Sequence, residues 1–92
     1  VERAPQVKTD DAPKLKLYPN PASEFITLEV PENLSKTWSV QVFSLNGKLE
    51  LIEHFQEQVS GRMTVDQLIA GTYIVKIYGQ GYNYGYLRLV IQ

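Results

Sequence analysis

Cysteine is absent from the 92-residue chain, which excludes disulfide bonds, thiolate metal sites and thiol nucleophiles together. Long apolar runs are also missing, so the sequence predicts no membrane-spanning helix, and it shows no signal peptide. Neither sign of charge dominates, because nine basic and ten acidic residues give a net charge of −1. This balance favours neither a nucleic-acid partner nor an acidic calcium site.

The residues that are present indicate one small globular domain. An apolar fraction of 43% is ordinary for a globular protein. Residues 1–14 are polar and unpatterned, which predicts a flexible linker, or a processing site of the kind that proteases cut in such segments. Because the chain starts with Val1 instead of Met, we expect an excised piece of a longer protein, with the folded domain over residues 15–92.

Seven short strands are predicted in that domain, because apolar and polar residues alternate between turn signals. They cover residues 15–18, 25–30, 38–45, 48–55, 62–65, 72–78 and 86–92. No stretch has helical periodicity. The number and spacing of the strands favour an all-β fold, a seven-stranded antiparallel β-sandwich with immunoglobulin-like proportions. A partly open barrel is the alternative architecture.

One hairpin has a specific predicted register. Asn46-Gly47 is a strong signal for a two-residue type I′ turn, which needs positive φ at both residues. Such a turn pairs Val42 with Leu51 and Ser44 with Leu49. Both leucines would then point to the core.

The glycine-rich and tyrosine-rich residues 79–85 are predicted to form a loop. Tyr82, Tyr84 and Tyr86 alternate, so they would share one face and could form an aromatic surface that binds sugars or another protein. An aromatic ladder that covers the sandwich edge is the other interpretation. Earlier in the chain, Gly71 is expected to adopt a positive φ.

Candidate catalytic groups are few and unconnected. His54 is the single histidine, and its neighbour Glu53 would point to the opposite face of a strand, so a surface histidine is expected. The serines follow no nucleophile-elbow pattern and have no evident base, and the acids are too scattered for a glycosidase pair. The sequence therefore predicts no enzyme, no catalytic residue, no cofactor and no metal.

Four segments resemble the type A C-terminal sorting domain of proteins exported by the type IX (Por) secretion system of Bacteroidetes. The first is Tyr18-Pro19-Asn20-Pro21-Ala22 with the strand that follows it. The second is residues 40–48, ending in Asn46, Gly47 and Lys48. The third is residues 68–77, which include Gly71 and Tyr73, and the fourth is the last strand. The resemblance covers residues 15–92, although Arg88 is the one basic residue of a strand that usually carries more lysine.

The resemblance implies a targeting domain that other proteins recognise and that catalyses no reaction. The cargo domain, upstream in the same chain, would reach the periplasm, and the outer-membrane translocon would recognise the sorting domain. A sortase-like cysteine protease would then cut in the linker, leaving the cargo at the cell surface or outside the cell. Asn46, Gly47, Lys48, Gly71 and Tyr73 would be structural supports. The candidates for the recognised surface are Pro19, Asn20, Pro21, Ala22, Leu87, Arg88, Leu89, Val90, Ile91 and Gln92.

Two other functions remain open from the residues alone. One is a non-catalytic module that binds carbohydrate or protein through Tyr82, Tyr84 and Tyr86, and the other is a fibronectin-like spacer. An open edge strand can also pair with a neighbouring molecule, so a dimer formed by strand pairing is a further expectation.

Overall fold

The computed structural model describes residues 15–92, with the side chain of Tyr82 excepted. The predicted linker and processing site at residues 1–14 lie outside this range. The strands are β1 (Lys16–Tyr18), β2 (Phe25–Glu29), β3 (Thr37–Ser44), β4 (Leu49–Gln56), β5 (Ser60–Thr64), β6 (Gly71–Gly79) and β7 (Tyr82–Ile91). One turn of 3-10 helix, Glu32–Leu34, joins β2 to β3. No helix in this part of the chain is long and apolar enough to cross a membrane.

The strands form two antiparallel sheets. The smaller sheet has the order β1-β2-β5, and the larger has the order β4-β3-β6-β7. The predicted all-β sandwich of seven strands is confirmed, and the division into two sheets replaces the partly open barrel. The strand order is compatible with immunoglobulin-like proportions.

The core lies between the inner faces of the two sheets, where strand alternation places every second side chain. Trp38 is fully buried in the larger sheet and stacks on the ring of Phe55, with 4.5 Å between ring centroids. Its indole Nε1 donates a 2.8 Å hydrogen bond to the carbonyl oxygen of Gln58. The other fully buried large side chains are Ile26, Leu28, Val40, Val42, Val65, Val75, Ile77 and Leu89.

The turn between β3 and β4 differs from the predicted type I′ hairpin. The amide of Gly47 donates to the carbonyl of Ser44, and the amide of Ser44 donates to the carbonyl of Lys48, each at 2.9 Å. Positive φ occurs at Gly47 (+91°) and not at Asn46. The loop therefore contains three residues, and glycine supplies the left-handed conformation at its end.

The longer turn changes part of the predicted register. Val42 pairs with Leu51 as predicted, but a β-bulge follows, and Phe43 pairs with Leu49. The predicted inward position of Leu49 is wrong, because its side chain is 44% exposed. Leu51 is partly buried and packs against the core. The extra loop residue and the bulge offset each other, so the register is restored after two residues.

Most of residues 79–85, predicted to form a loop, belong to the hairpin strands β6 and β7. β6 continues to Gly79 and β7 begins at Tyr82, so the connection has two residues. These two, Gln80 and Gly81, have φ values of +50° and +87°. The turn with positive φ at both central residues therefore lies here, where its sequence signal is weaker than that of Asn-Gly.

Candidate functional site

The sequence motifs, far apart along the chain, meet at one end of the sandwich. Ser44, at the end of β3, pairs with Tyr73, and Gly71, at the start of β6, pairs with Ile91 near the end of β7. Ala22 forms a parallel bridge with Ile91. We call this end the motif end, and it comprises residues 19–22, 45–48, 66–71, 91 and 92. Residues 30–36, 57–59 and 80–81 form the opposite end.

The corner at residues 19–22 is bonded to the edge of the last strand. The side-chain Nδ2 of Asn20 donates to the carbonyl of Arg88 at 2.8 Å, and the amide of Val90 donates to Asn20 Oδ1 at 2.9 Å. The amide of Ala22 donates to the carbonyl of Val90, and the amide of Gln92 donates to the carbonyl of Ala22, both at 2.9 Å. The corner thus satisfies edge groups that would otherwise be open to strand addition.

Tyr18, the last residue of β1 before the corner, anchors β1 to β2. Its hydroxyl donates a hydrogen bond to the carboxylate of Glu29. This bond raises the pKa of the Tyr18 hydroxyl above its ordinary value, and desolvation and the negative charge of Glu29 act in the same direction. The hydroxyl therefore stays protonated and able to donate throughout the neutral range. The peptide bonds before Pro19 and Pro21 are both cis.

The predicted surface candidates divide into exposed and buried side chains. Ala22, Leu89 and Ile91 are buried in the core, so a partner cannot touch their side chains in the folded domain. Leu87 and Val90 are partly buried. The exposed candidates are Pro19, Asn20, Pro21, Arg88 and Gln92.

The predicted supports shape the loops of the motif end. Tyr73 is 7% exposed, and its hydroxyl donates to the backbone carbonyl of Ile69. Gly71 has the expected positive φ, at +153°. The amide of Leu68 donates to the carbonyl of Val65 at 3.0 Å. These contacts hold the loop between β5 and β6 against the start of β6.

The prediction that Tyr82, Tyr84 and Tyr86 share one face is wrong for Tyr84 and Tyr86. Tyr84 is 5% exposed, whereas Tyr86 is 59% exposed. A register shift pairs Ile77 with Gly85 but Tyr78 with Asn83, so β7 gains a residue and its alternation changes there. The side chain of Tyr82 lies outside the described part.

Tyr84 belongs to the interior of the opposite end. Its hydroxyl donates to the carbonyl of Leu34 at 3.1 Å and accepts a 3.0 Å hydrogen bond from Gln80 Nε2. The 3-10 turn is thereby attached to β7. This role is structural, and it removes Tyr84 from any sugar-binding platform.

Ser39 has a base that the sequence did not reveal. Its Oγ lies 2.7 Å from Nδ1 of His54, on the face opposite Glu53. Ser39 is 8% exposed and sits in β3, which β4 and β6 pair on both sides. Its neighbouring N–H groups are engaged in those ladders and cannot form an oxyanion hole. We interpret the pair as satisfying a nearly buried hydroxyl. No group of three or more His, Asp or Glu residues within 15–92 could hold a metal ion.

Asn20→Asp should weaken the corner. The carboxylate can still accept from Val90, but it cannot donate to Arg88 and places negative charge beside that carbonyl. We expect a loss of about 1–2 kcal/mol in the free energy of unfolding and faster amide hydrogen exchange at Ala22 and Gln92, whose amides also bond the corner to β7. Urea denaturation and exchange measured by NMR test both effects.

Asn83→Asp is the matched control for that variant, because it introduces the same charge on an exposed side chain of β7. Its free energy of unfolding should change by less than about 0.5 kcal/mol. Equal losses in the two variants would show that the added charge, and not the bonds of Asn20, determines the effect.

The fold is that of a small antiparallel β-sandwich domain, and its family-like segments converge at one end of the two sheets. Residues 16–92 match the family model of the secretion system C-terminal sorting domain. The chain belongs to this family, whose members are sorting signals for type IX secretion and not a catalytic family. The resemblance inferred from the sequence is confirmed. A comparison with curated proteins found no match.

Membership in the family defines the general function. The domain is a sorting signal that directs a secreted protein through the outer membrane. This function implies an interaction with the type IX secretion machinery and a cargo domain upstream.

Proposed function

We propose that the type IX translocon recognises the motif end, through the corner and the exposed side of the last strand. The observation that carries this proposal is the bonding of Asn20 and Ala22 to β7. It joins two family-like segments, from the beginning and the end of the domain, into one surface. The side chains offered to the translocon are Pro19, Asn20, Pro21, Arg88 and Gln92.

This surface exists only in the folded domain. The corner follows β1 of the smaller sheet and covers the edge of β7 in the larger sheet. The two Asn20 bonds join residues 68 and 70 positions apart in the chain. A translocon that binds the corner therefore selects cargo whose sorting domain has folded, without reading an unfolded peptide.

The remaining steps follow from the same proposal. A sortase-like cysteine protease removes the domain by cutting within residues 1–14, after passage through the periplasm, and the cargo remains at the cell surface or outside the cell. The domain itself catalyses no reaction. A dimer formed by strand pairing stays a prediction.

The test is to fuse a periplasmic reporter upstream of residues 1–92 and express it in a host with a working type IX system. The reporter should reach the surface or the medium, and it should stay in the periplasm of a host without the translocon. Retention in the competent host, with the domain folded, would contradict a sorting function.

The carbohydrate-binding alternative has lost its main support. It required Tyr82, Tyr84 and Tyr86 on one exposed face, and Tyr84 is in the interior. We therefore keep sorting as the single proposed function.

A further inference from the structure

Two apolar side chains at the motif end are far more exposed than the fold requires. Ile69 is 80% exposed and Leu45 is 68% exposed, the highest values among the large hydrophobic residues of the described chain. Single exposed apolar residues are common and need no explanation. These two, however, lie in the two loops that form the motif end beside the corner.

Both side chains are displayed by loops with defined backbone bonds. Leu45 lies in the turn closed by the bonds of Ser44 to Gly47 and Lys48. The backbone of Ile69 is held by the hydroxyl of Tyr73. An anchor whose backbone is already ordered loses less conformational entropy when it is buried by a partner.

The upstream chain joins the domain away from these loops. Lys16 pairs with Glu29, which pairs with Ser60 at the start of β5, toward the opposite end. Leu15 lies against Gly85, at the part of β7 that is near its beginning. Residue 15, where the described chain begins, therefore lies at the end of the domain remote from Leu45 and Ile69, and both of these exposed side chains are accessible to another molecule.

We propose that Leu45 and Ile69 are apolar anchors that enter apolar pockets on the protein of the secretion machinery that binds the motif end. This inference rests on the proposed function and adds two residues that lie outside the candidate surface at the corner and last strand. Side chains that fill well-packed, desolvated pockets at the centre of an interface, with polar contacts around them, supply most of its binding energy. Here Asn20, Arg88 and Gln92 supply the polar contacts.

The experiment uses the reporter fused to residues 1–92 and measures the initial rate of export. Leu45→Ser and Ile69→Ser should each lower the rate about tenfold, and the double variant should lower it further. The melting temperatures should match that of the original domain, because neither side chain is part of the core. A separate double variant, Leu45→Met with Ile69→Val, keeps both side chains apolar and should be exported at close to the original rate.

Val59→Ser is the matched control. Val59 is 48% exposed and lies in the loop between β4 and β5, at the opposite end, so its replacement should leave export unchanged. If the double serine variant is exported at the original rate, Leu45 and Ile69 do not act as anchors, while the sorting function of the domain stands. Failure of the unmodified fusion to leave the periplasm would instead remove the sorting proposal, and the anchors with it.

The alternative partner for Leu45 and Ile69 is a second copy of the domain, which would bury both side chains in a dimer. Sedimentation of the purified chain tests it, and we expect the same oligomeric state for the original protein and for the double serine variant, because pairing through an edge strand would not involve Leu45 or Ile69. A dimer that dissociates in the double variant would assign Leu45 and Ile69 to self-association and would overturn their role in the machinery.

Discussion

Trp38→Ala should lower the free energy of unfolding by about 4–6 kcal/mol, which is at least a third of the total for a domain of this size. The indole is fully buried, stacks on Phe55 and donates to the carbonyl of Gln58. Its removal creates a cavity in the core near the start of β3 and costs about 3–5 kcal/mol. The carbonyl left without its donor adds about 1 kcal/mol. A domain of this size has a total stability of about 4–12 kcal/mol.

Thermal unfolding followed by circular dichroism measures this effect. Tyr86→Ala is the control, because it removes a large aromatic side chain that is 59% exposed in the same sheet, and its melting temperature should change little. A melting temperature of Trp38→Ala within a few degrees of the original would mean that the core collapses around the gap. An unfolded variant should also lose export, because the motif end exists only in the folded state.

Gly79→Ala should destabilise the domain by about 3 kcal/mol or more, because the added methyl group meets backbone as well as a side chain. A Cβ at Gly79 would lie 2.3 Å from the carbonyl oxygen of Thr37 and 2.9 Å from the Cα of Trp38. It would also lie 2.8 Å from the hydroxyl of Tyr84. Overpacking of a core costs about 1–3 kcal/mol, and here β6 must also separate from β3.

The measurement is again the melting temperature, which should fall by roughly 12–24 °C or more, because each kcal/mol corresponds to about 4–8 °C. Gly81→Ala is the comparison, because a Cβ there meets nothing within 4 Å and suffers only from the φ of +87°. It should cost about 1 kcal/mol. Because Gly79 does not have a positive φ, a loss at Gly79 no larger than that at Gly81 would show that β3 and β6 shift to accommodate the added methyl group at little cost.

The regular strands were predictable because alternation is a local property. Alternation places Ile26, Leu28 and Val30 on one face of a strand, and Trp38, Val40 and Val42 on one face of another, and all six are buried. The same rule placed Tyr73, Val75 and Ile77 correctly. A residue with period-2 neighbours has only two possible faces, and the apolar one turns inward.

The turns were less predictable, because their geometry depends on the strands they join. Asn46-Gly47 has the sequence of a type I′ turn, but a three-residue loop with a bulge forms there. Gln80-Gly81 has a weaker signal and adopts positive φ at both positions. In each case cross-strand pairing over many residues outweighs the preference of two residues. The bulge that turns Tyr84 inward has no signal that periodicity alone could detect.

By itself, the sequence determined the class of fold, most of the core and the family, because these depend on local alternation and on motifs read in order. Only the tertiary structure decided that Asn20 covers the edge of β7, that the motif segments share one end, and that Leu45 and Ile69 are displayed there. Each of these depends on which strands become neighbours. That choice is made by the packing of the two sheets, between residues that the chain separates by tens of positions.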